Sequence, residues 1–391
     1  VDNFLPDRAQ LWLRVKVELL CTGITIPLNL ENEFVRKGYP ISPGRKGGAG
    51  PAGGRYFHLP NGSLVNVQLW YGQTKHQRYI LTAYDGRSQI SLMDFQKILP
   101  DITINLLPMP LFSNEKNCEG IPYSKIALMH GDRTIATTIN QRCILWRTNE
   151  QCKFCAIEQS VESGSTIVHK TGDQIADAIQ AARVENSEYG SHITLTIGSQ
   201  VNEDQTVEQY GKVIRTLRQR YPDLPIHIQC EPFENLNLLQ VLKDTGVTTV
   251  GIHLEILDDL IRSYICPGKA KKPKSLYYTN WERAVEIFGS NQVSTFLLTG
   301  FGEDPQLYRE ELREVVKRGV IPIITPARPL SGVKINVPFS SSNLVLEMTL
   351  YAAQLCLEFH VNPLKNRAGC VLCTGCSAIT DAYEILQNTN N

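Results

Sequence analysis

From about residue 133 the chain alternates short β-branched runs with amphipathic helical stretches, and this alternation constrains the fold more than any other feature. Residues 134–139, 192–197, 226–230, 248–254, 293–298 and 320–325 are short and apolar or β-branched, as strands are. Between them, residues 172–184, 207–220, 236–244, 276–288 and 305–318 carry helical patterning; Ile175, Ile179 and Ala182 share one face. Thr171 and Asp304 sit where N-caps belong, the second followed by Pro305 at the first helical position. Strict βα alternation demands parallel strands joined by right-handed crossovers. Six such units predict an α/β fold, a partial (β/α)6 TIM-type barrel, whose chemistry collects at the C-terminal ends of the strands.

The flanks read differently. Residues 55–59 and 63–69 surround Pro60-Asn61-Gly62, a hairpin signal, so residues 1–125 are expected to form a small N-terminal β-rich subdomain. Residues 45–55 are glycine-rich and basic at both ends. They form either an anion or substrate clasp, built from backbone N–H groups and flanking Arg, or a mobile surface loop. The residue order of a Walker phosphate loop is missing. The barrel is expected over 126–335 and a C-terminal Cys-rich extension over 336–391, with helices near 343–359 and 378–386.

Composition removes several function classes. Lys+Arg and Asp+Glu are both 39 in 391 residues, so no basic excess marks a nucleic-acid surface. No apolar run approaches the ~20 residues that cross a bilayer. The first residues carry neither a basic segment nor a signal-like apolar core, which predicts a cytoplasmic protein, although the start without Met leaves a removed leader open. Of 11 cysteines, six fall into two tight groups and read as metal ligands, whereas Cys21, Cys118, Cys230, Cys266 and Cys356 are scattered and read as core or incidental thiols.

The first group, Cys143, Cys152 and Cys155, follows the first barrel strand and supplies three thiolates. A structural zinc site or an electron-transfer cluster normally takes four protein ligands. Three thiolates on a [4Fe-4S] cube leave one iron open to a small molecule. With Phe154 before the last cysteine, the run resembles the cluster loop of the radical S-adenosylmethionine (SAM) superfamily, except that eight residues separate the first two cysteines where most members have three.

Further motifs follow in the order that resemblance implies. Gly198-Ser199-Gln200 after the second strand is similar to the turn that binds the SAM amino group. Glu255 after the fourth strand looks like the acidic ribose ligand of the biotin synthase and lipoyl synthase subset, with Arg262 placed for the SAM carboxylate. Glu255 reads alternatively as a salt-bridged rim residue; His253 beside it reads as a satisfied core histidine. Gly300-Phe301-Gly302-Glu303 is similar to the turn backing the adenine, and Arg328 after the sixth strand points to SAM or an anionic substrate. Lys269, Lys271, Lys272 and Lys274 read as a solvated loop, or as a guide for an anionic substrate or an acidic electron donor.

Cys370, Cys373 and Cys376, in two overlapping Cys-x2-Cys steps, are expected to hold a second [4Fe-4S] cluster facing the barrel mouth; zinc is the other reading. Ser377, Cys356 or substrate could complete it. The layout also resembles a radical SAM group encoded beside nitrilases in bacterial gene clusters. The resemblance implies an enzyme that reductively cleaves SAM to a 5′-deoxyadenosyl radical and abstracts hydrogen from a small-molecule substrate, reduced by a flavodoxin or ferredoxin. A non-catalytic zinc or iron–sulfur scaffold is the alternative.

Overall fold

The computed structural model describes residues 8–30, 44, 47–50, 52–72, 78–337 and 339–389. Helix α1 (Arg8–Thr22) precedes six strands: β1 (Ile24–Ile26), β2 (Gly54–His58), β3 (Leu64–Tyr71), β4 (Tyr79–Tyr84), β5 (Gln89–Asp94) and β6 (Ile102–Leu106). They close into a barrel in the order β1-β3-β2-β6-β5-β4. The predicted hairpin is β2–β3, antiparallel with Tyr56 opposite Asn66. Closure comes from β1, parallel to β3 on one side and to β4 on the other. Helix α1 is buried on two sides. Val15, Leu19 and Leu20 enter the core of this small barrel, while Leu13, Val17 and Cys21 enter the core of the larger sheet.

The second sheet holds β7 (Leu128–His130), β8 (Thr134–Thr138), β9 (His192–Thr196), β10 (Ile226–Cys230), β11 (Thr249–Ile252), β12 (Val293–Thr299) and β13 (Ile321–Pro326) in sequence order. Strands β8 to β13 are parallel, the open-barrel sheet that the alternation predicts. The three-residue β7 is an antiparallel addition on the edge. Helices α2 (Gly172–Glu185), α3 (Glu203–Arg220), α4 (Asn237–Asp244), α5 (Asp259–Ile265), α6 (Lys274–Phe288) and α7 (Pro305–Lys317) fill the crossovers. The Thr171 hydroxyl and the Gln174 side chain form a reciprocal capping box on α2. The Asp304 carboxylate accepts the Gln306 and Leu307 N–H groups at the start of α7.

After β13, helix α8 (Ser342–Glu358) and helix α9 (Ile379–Thr389) pack against each other and against α1. The segment between them corrects the expected course of the tail. Gln292, just before β12, donates to the Lys365 carbonyl at 2.9 Å, and Asn366 donates to the Asn291 carbonyl at 2.7 Å. Thr249, the first residue of β11, donates to the Ala368 carbonyl at 3.3 Å. The Gly369 N–H donates to Nδ1 of His192, the first residue of β9, at 3.2 Å. The tail therefore enters at the N-terminal ends of the strands, on the barrel floor. At 1.5 Å per residue α8 spans roughly the barrel height, and the chain after it crosses the floor instead of climbing back to the mouth.

Candidate functional site

Strand β8 ends at Thr138, and the chain passes along the rim to Cys143, which begins a short helical turn, Ile144–Arg147. Two backbone bonds tie this turn to the end of β9: Gly198 N–H to the Asn140 carbonyl at 3.0 Å and Ile144 N–H to the Ser199 carbonyl at 2.8 Å. A Cβ on Gly198 would be driven into the Arg142 carbonyl, so only glycine lets the two loops meet. Gln200 accepts from Asn140 at 3.3 Å and from Gln209 at 2.9 Å, and its own amide is turned onto the Gly198 carbonyl. Ser199 bonds Glu231.

Glu231 and Glu158 are functional-site residues that the sequence reading missed. Glu158 accepts the Cys143 N–H at 3.1 Å and pairs with Arg142 at 2.8 Å. Glu231 directly follows β10, and its place at a strand end was the available signal.

Cys152 and Cys155 lie in the next turn, closed by the Cys155 N–H to the Cys152 carbonyl at 3.0 Å. The Phe154 ring lies 6.0 Å from Phe301, centroid to centroid. The Glu303 carboxylate holds the Gly300 and Phe301 N–H groups, so the Gly300–Glu303 turn faces Phe154 as an aromatic-lined wall. Residues 47–50 of the glycine-rich segment cover the same rim. Gly47 N–H donates to Ser160 at 2.9 Å and Ala49 N–H to Thr138 at 2.7 Å. Those two N–H groups are engaged by the protein, which corrects both the open anion clasp and the mobile loop for this stretch. Arg45, Lys46 and Pro51 lie outside the described residues.

Glu255 stands beyond β11 with a left-handed φ of 66°, a rare conformation for a side chain of its size. One carboxylate oxygen pairs with Lys269; the other is buried without a partner. Burial pulls the Lys269 pKa down, but Glu255, Cys152 and Glu231 outweigh it and hold the ammonium well above its ordinary value.

Arg262 takes a different place from the one expected. It is 2% exposed, donates to the Lys269 and Lys272 carbonyls at 2.8 and 2.9 Å, and lies over the Tyr277 ring. Its guanidinium braces the loop of Lys269 and Lys272. The lysines of that loop are not a free cationic patch: Lys269, Lys271, Lys272 and Lys274 pair with Glu255, Glu150, Glu203 and Glu311 respectively.

Cys266, read from sequence as a core or incidental thiol, is fully buried beside Cys152. Among the described residues, Cys152, Glu255 and Cys266 are the trio whose ligand atoms lie within 4.8 Å of one another. Neither Cys143/Cys152/Cys155 nor Cys370/Cys373/Cys376 gathers that tightly. A tetrahedral zinc with ~2.3 Å Zn–S bonds needs sulfurs about 3.8 Å apart, so both groups suit the larger iron–sulfur cube better. Burial pushes the Cys143 thiol up and that of Cys155 up to about 12, so iron loading would release protons.

On the floor, Gln229 donates to Cys370 Sγ at 3.5 Å, Cys373 bonds the His130 carbonyl at 3.3 Å, and Cys376 Sγ lies 3.7 Å from His130 Nε2. Burial pushes Cys373 up to about 12 and Cys370 well above its usual value. Burial also acts on Cys376, but His130 and Arg328 outweigh it and bring that thiol to about 7. Arg328, expected toward SAM or an anionic substrate, lines the lumen and reaches this group. It donates twice to Asn66 of β3, at 2.9 and 2.6 Å, and its charge faces Cys376. Of the proposed fourth ligands, Cys356 is buried in α8 and the Ser377 hydroxyl accepts the Ile379 N–H. His130 is the side chain that reaches the group.

A cavity of about 300 Å³ runs through the barrel, bordered by Phe154 and Cys155 above and by Cys370 and Cys376 below. A larger hollow of about 730 Å³ lies outside the floor beside Cys373. Among the described residues no helix is long and apolar enough to cross a membrane.

Comparison with curated proteins gives no match. Among solved structures, similarity is found to HydG, a maturase of the [FeFe]-hydrogenase, at 15% identity over 62% of this chain and 55% of that one, with a TM-score of 0.44. The HydG of Carboxydothermus hydrogenoformans gives the same identity and TM-score over 57% of its length. A β-mannanase of Streptomyces thermolilacinus is 9% identical over 64% of this chain and 82% of its own, with a TM-score of 0.32. The chain thus spans little more than half of either HydG chain. Residues 147–319 match the family model of the Radical SAM superfamily, beginning just after Cys143 and running through β9 to β12. Over those residues the chain carries a radical SAM domain.

Proposed function

We propose that this radical SAM enzyme holds one [4Fe-4S] cluster on Cys143, Cys152 and Cys155, a second on Cys370, Cys373 and Cys376, and a small substrate in the lumen between them. The observation that supports this reading best is the single cavity bordered by both cysteine groups. Bound at the open iron, SAM supplies a 5′-deoxyadenosyl radical on one-electron reduction, and that radical abstracts hydrogen from the substrate. The chain's part is to place and shield. Phe154 and Phe301 offer an adenine slot, and the free Glu255 oxygen can accept from the ribose hydroxyls. Residues 47–50 cover the rim against water. At about 300 Å³, shared with part of SAM, the lumen is at the lower limit of ligand pockets and selects a compact substrate. The reductant is a flavodoxin or ferredoxin.

Anaerobic reconstitution tests the reading. Wild type should bind about eight irons per chain, and the Cys370/Cys373/Cys376→Ala triple variant about four. Dithionite and SAM should give 5′-deoxyadenosine from both, and Cys152→Ala should give none. Equal iron in wild type and triple variant rejects the second cluster. Absence of 5′-deoxyadenosine from wild type rejects the reading altogether.

A further inference from the structure

Three buried polar atoms in the barrel interior have no hydrogen-bond partner: Thr194 Oγ1, His227 Nε2 and His253 Nε2. Their residues are 1%, 2% and 9% exposed. Buried polar atoms are costly to leave unpaired, so three together call for a ligand or ordered water. Thr194 on β9 and His227 on β10 are register neighbours. A Cβ on Gly251 of β11 would meet the His253 ring, 2.5 Å from Cε1 and 3.0 Å from Nε2, and lie 3.2 Å from His227 Nε2, so the two rings converge over this glycine. Thr194 and His253 also line the lumen, next to Gln229 and Cys370.

Hydrogen bonding sets the two rings in opposite tautomers. His253 Nδ1 accepts the Phe296 N–H at 3.1 Å, so the neutral ring carries its proton on Nε2. The Thr249 hydroxyl donates to the Ala368 carbonyl at 3.3 Å and can only accept from His227 Nδ1, 2.8 Å away. His227 therefore presents a bare Nε2 lone pair. Burial keeps both rings neutral, lowering His227 to about 3 and His253 well below its ordinary value. One nitrogen donates, the other accepts, and the Thr194 hydroxyl can do either.

We propose that His227, His253 and Thr194 form a recognition subsite for an uncharged substrate group that both donates and accepts a hydrogen bond, a hydroxyl or a primary carboxamide. The assignment rests on the reading of the lumen as the substrate chamber. A carboxylate would set its lone pairs against that of His227, and an ammonium would set its N–H groups against that of His253; each leaves a buried polar atom unpaired. The group is anchored beside the Cys370 end of the lumen, which leaves the rest of a compact substrate directed toward Cys155.

Saturation-transfer NMR on the reconstituted, SAM-loaded and unreduced protein tests the subsite, with acetamide, ethanol, acetate and methylammonium as probes. Wild type should transfer saturation to acetamide, to ethanol or to both, and to neither ion; the acetamide and ethanol arms separate the two sources. Thr194→Val deletes only an unpartnered hydroxyl, so it should melt no lower than wild type and bind the neutral probe about tenfold more weakly. Gly251→Ala, which puts a methyl into the shared space, should abolish binding. No binding of either neutral probe, an ordered water only, overturns the proposal; so does equal binding of an ion, or wild-type affinity in both variants. After reduction, the perdeuterated neutral probe should pass deuterium to 5′-deoxyadenosine. Failure to form 5′-deoxyadenosine at all would count against the radical reading, while the binding arm still decides the subsite.

Discussion

Gly198 bears a tight contact on the rim, because the loop carrying Cys143 lies directly against it. Gly198→Ala should force the Arg142 carbonyl away and move Cys143 with it. We expect a loss of about 1–3 kcal/mol in urea unfolding, the usual cost of overpacking. Iron in the variant should fall by about one cluster on reconstitution; full iron with wild-type stability would show that the loop can yield. This residue was legible in the sequence because it follows a strand end, where the fold concentrates chemistry. Other residues at strand ends were legible only as positions. Sequence places Arg262 and Arg328 near the rim but says nothing of direction; one turns to the lysine-loop carbonyls and the other down to Asn66 and Cys376. Cys266 escaped for a related reason. Its partner Cys152 is over a hundred positions away in sequence, so no spacing motif joins them.

Among the elements, the six parallel strands and their helices were legible because burial on both faces leaves nearly continuous apolar runs between polar helix caps. Helix α1 was not, since it is buried by two cores and has no polar stripe to give it a period. Nor was β7, whose three residues carry no alternation. The two sheets meet where β2 passes the turn after β7: His58 Nε2 lies 3.5 Å from Asp132 Oδ2. The hydrogen bond to Asp132 raises the His58 pKa, and that to His58 lowers the Asp132 pKa. Stability from the raised His58 is full below its ordinary 6.5 and is lost as pH rises through the folded value. Stability from the lowered Asp132 is full above its ordinary 3.8 and is lost as pH falls through the folded value. The pair therefore contributes fully between those limits. Side-chain exposures of 34% and 44% keep the contribution to about 0.2–1 kcal/mol. A double-mutant cycle of His58→Gln and Asp132→Asn should show that coupling at about pH 5 and none at about pH 9. Equal coupling at both would mean that the contact does not depend on the imidazolium.

At the scale of the molecule, the tail that floors the lumen is held by one carboxylate. Asp381 of α9 pairs with Lys16 of α1 at 2.6 Å and also accepts from Ser63, in the loop before β3. Three parts of the chain converge there: the helix shared by both cores, the hairpin of the small barrel, and the Cys-rich tail. Lys16 is wholly buried while the Asp381 side chain is 16% exposed, which makes the pair asymmetric toward mutation. Removing Asp381 alone strands a buried ammonium, at a cost of about 3–5 kcal/mol, whereas removing both charges strands nothing. We therefore expect Asp381→Ala to lower the unfolding free energy in urea by that amount, and Lys16→Met/Asp381→Ala to be the more stable of the two proteins. The tail should report the same order. Cys373 and Cys376 of the cluster-free protein should alkylate faster in Asp381→Ala than in wild type, with the double variant between them, because α9 and the cysteine turn leave the floor together. A double variant less stable than the single would show that Lys16 reaches water once its partner is gone. Wild-type alkylation in Asp381→Ala would show that the contacts of Asn366, Ala368 and Gly369 with the strand starts suffice to seat the tail.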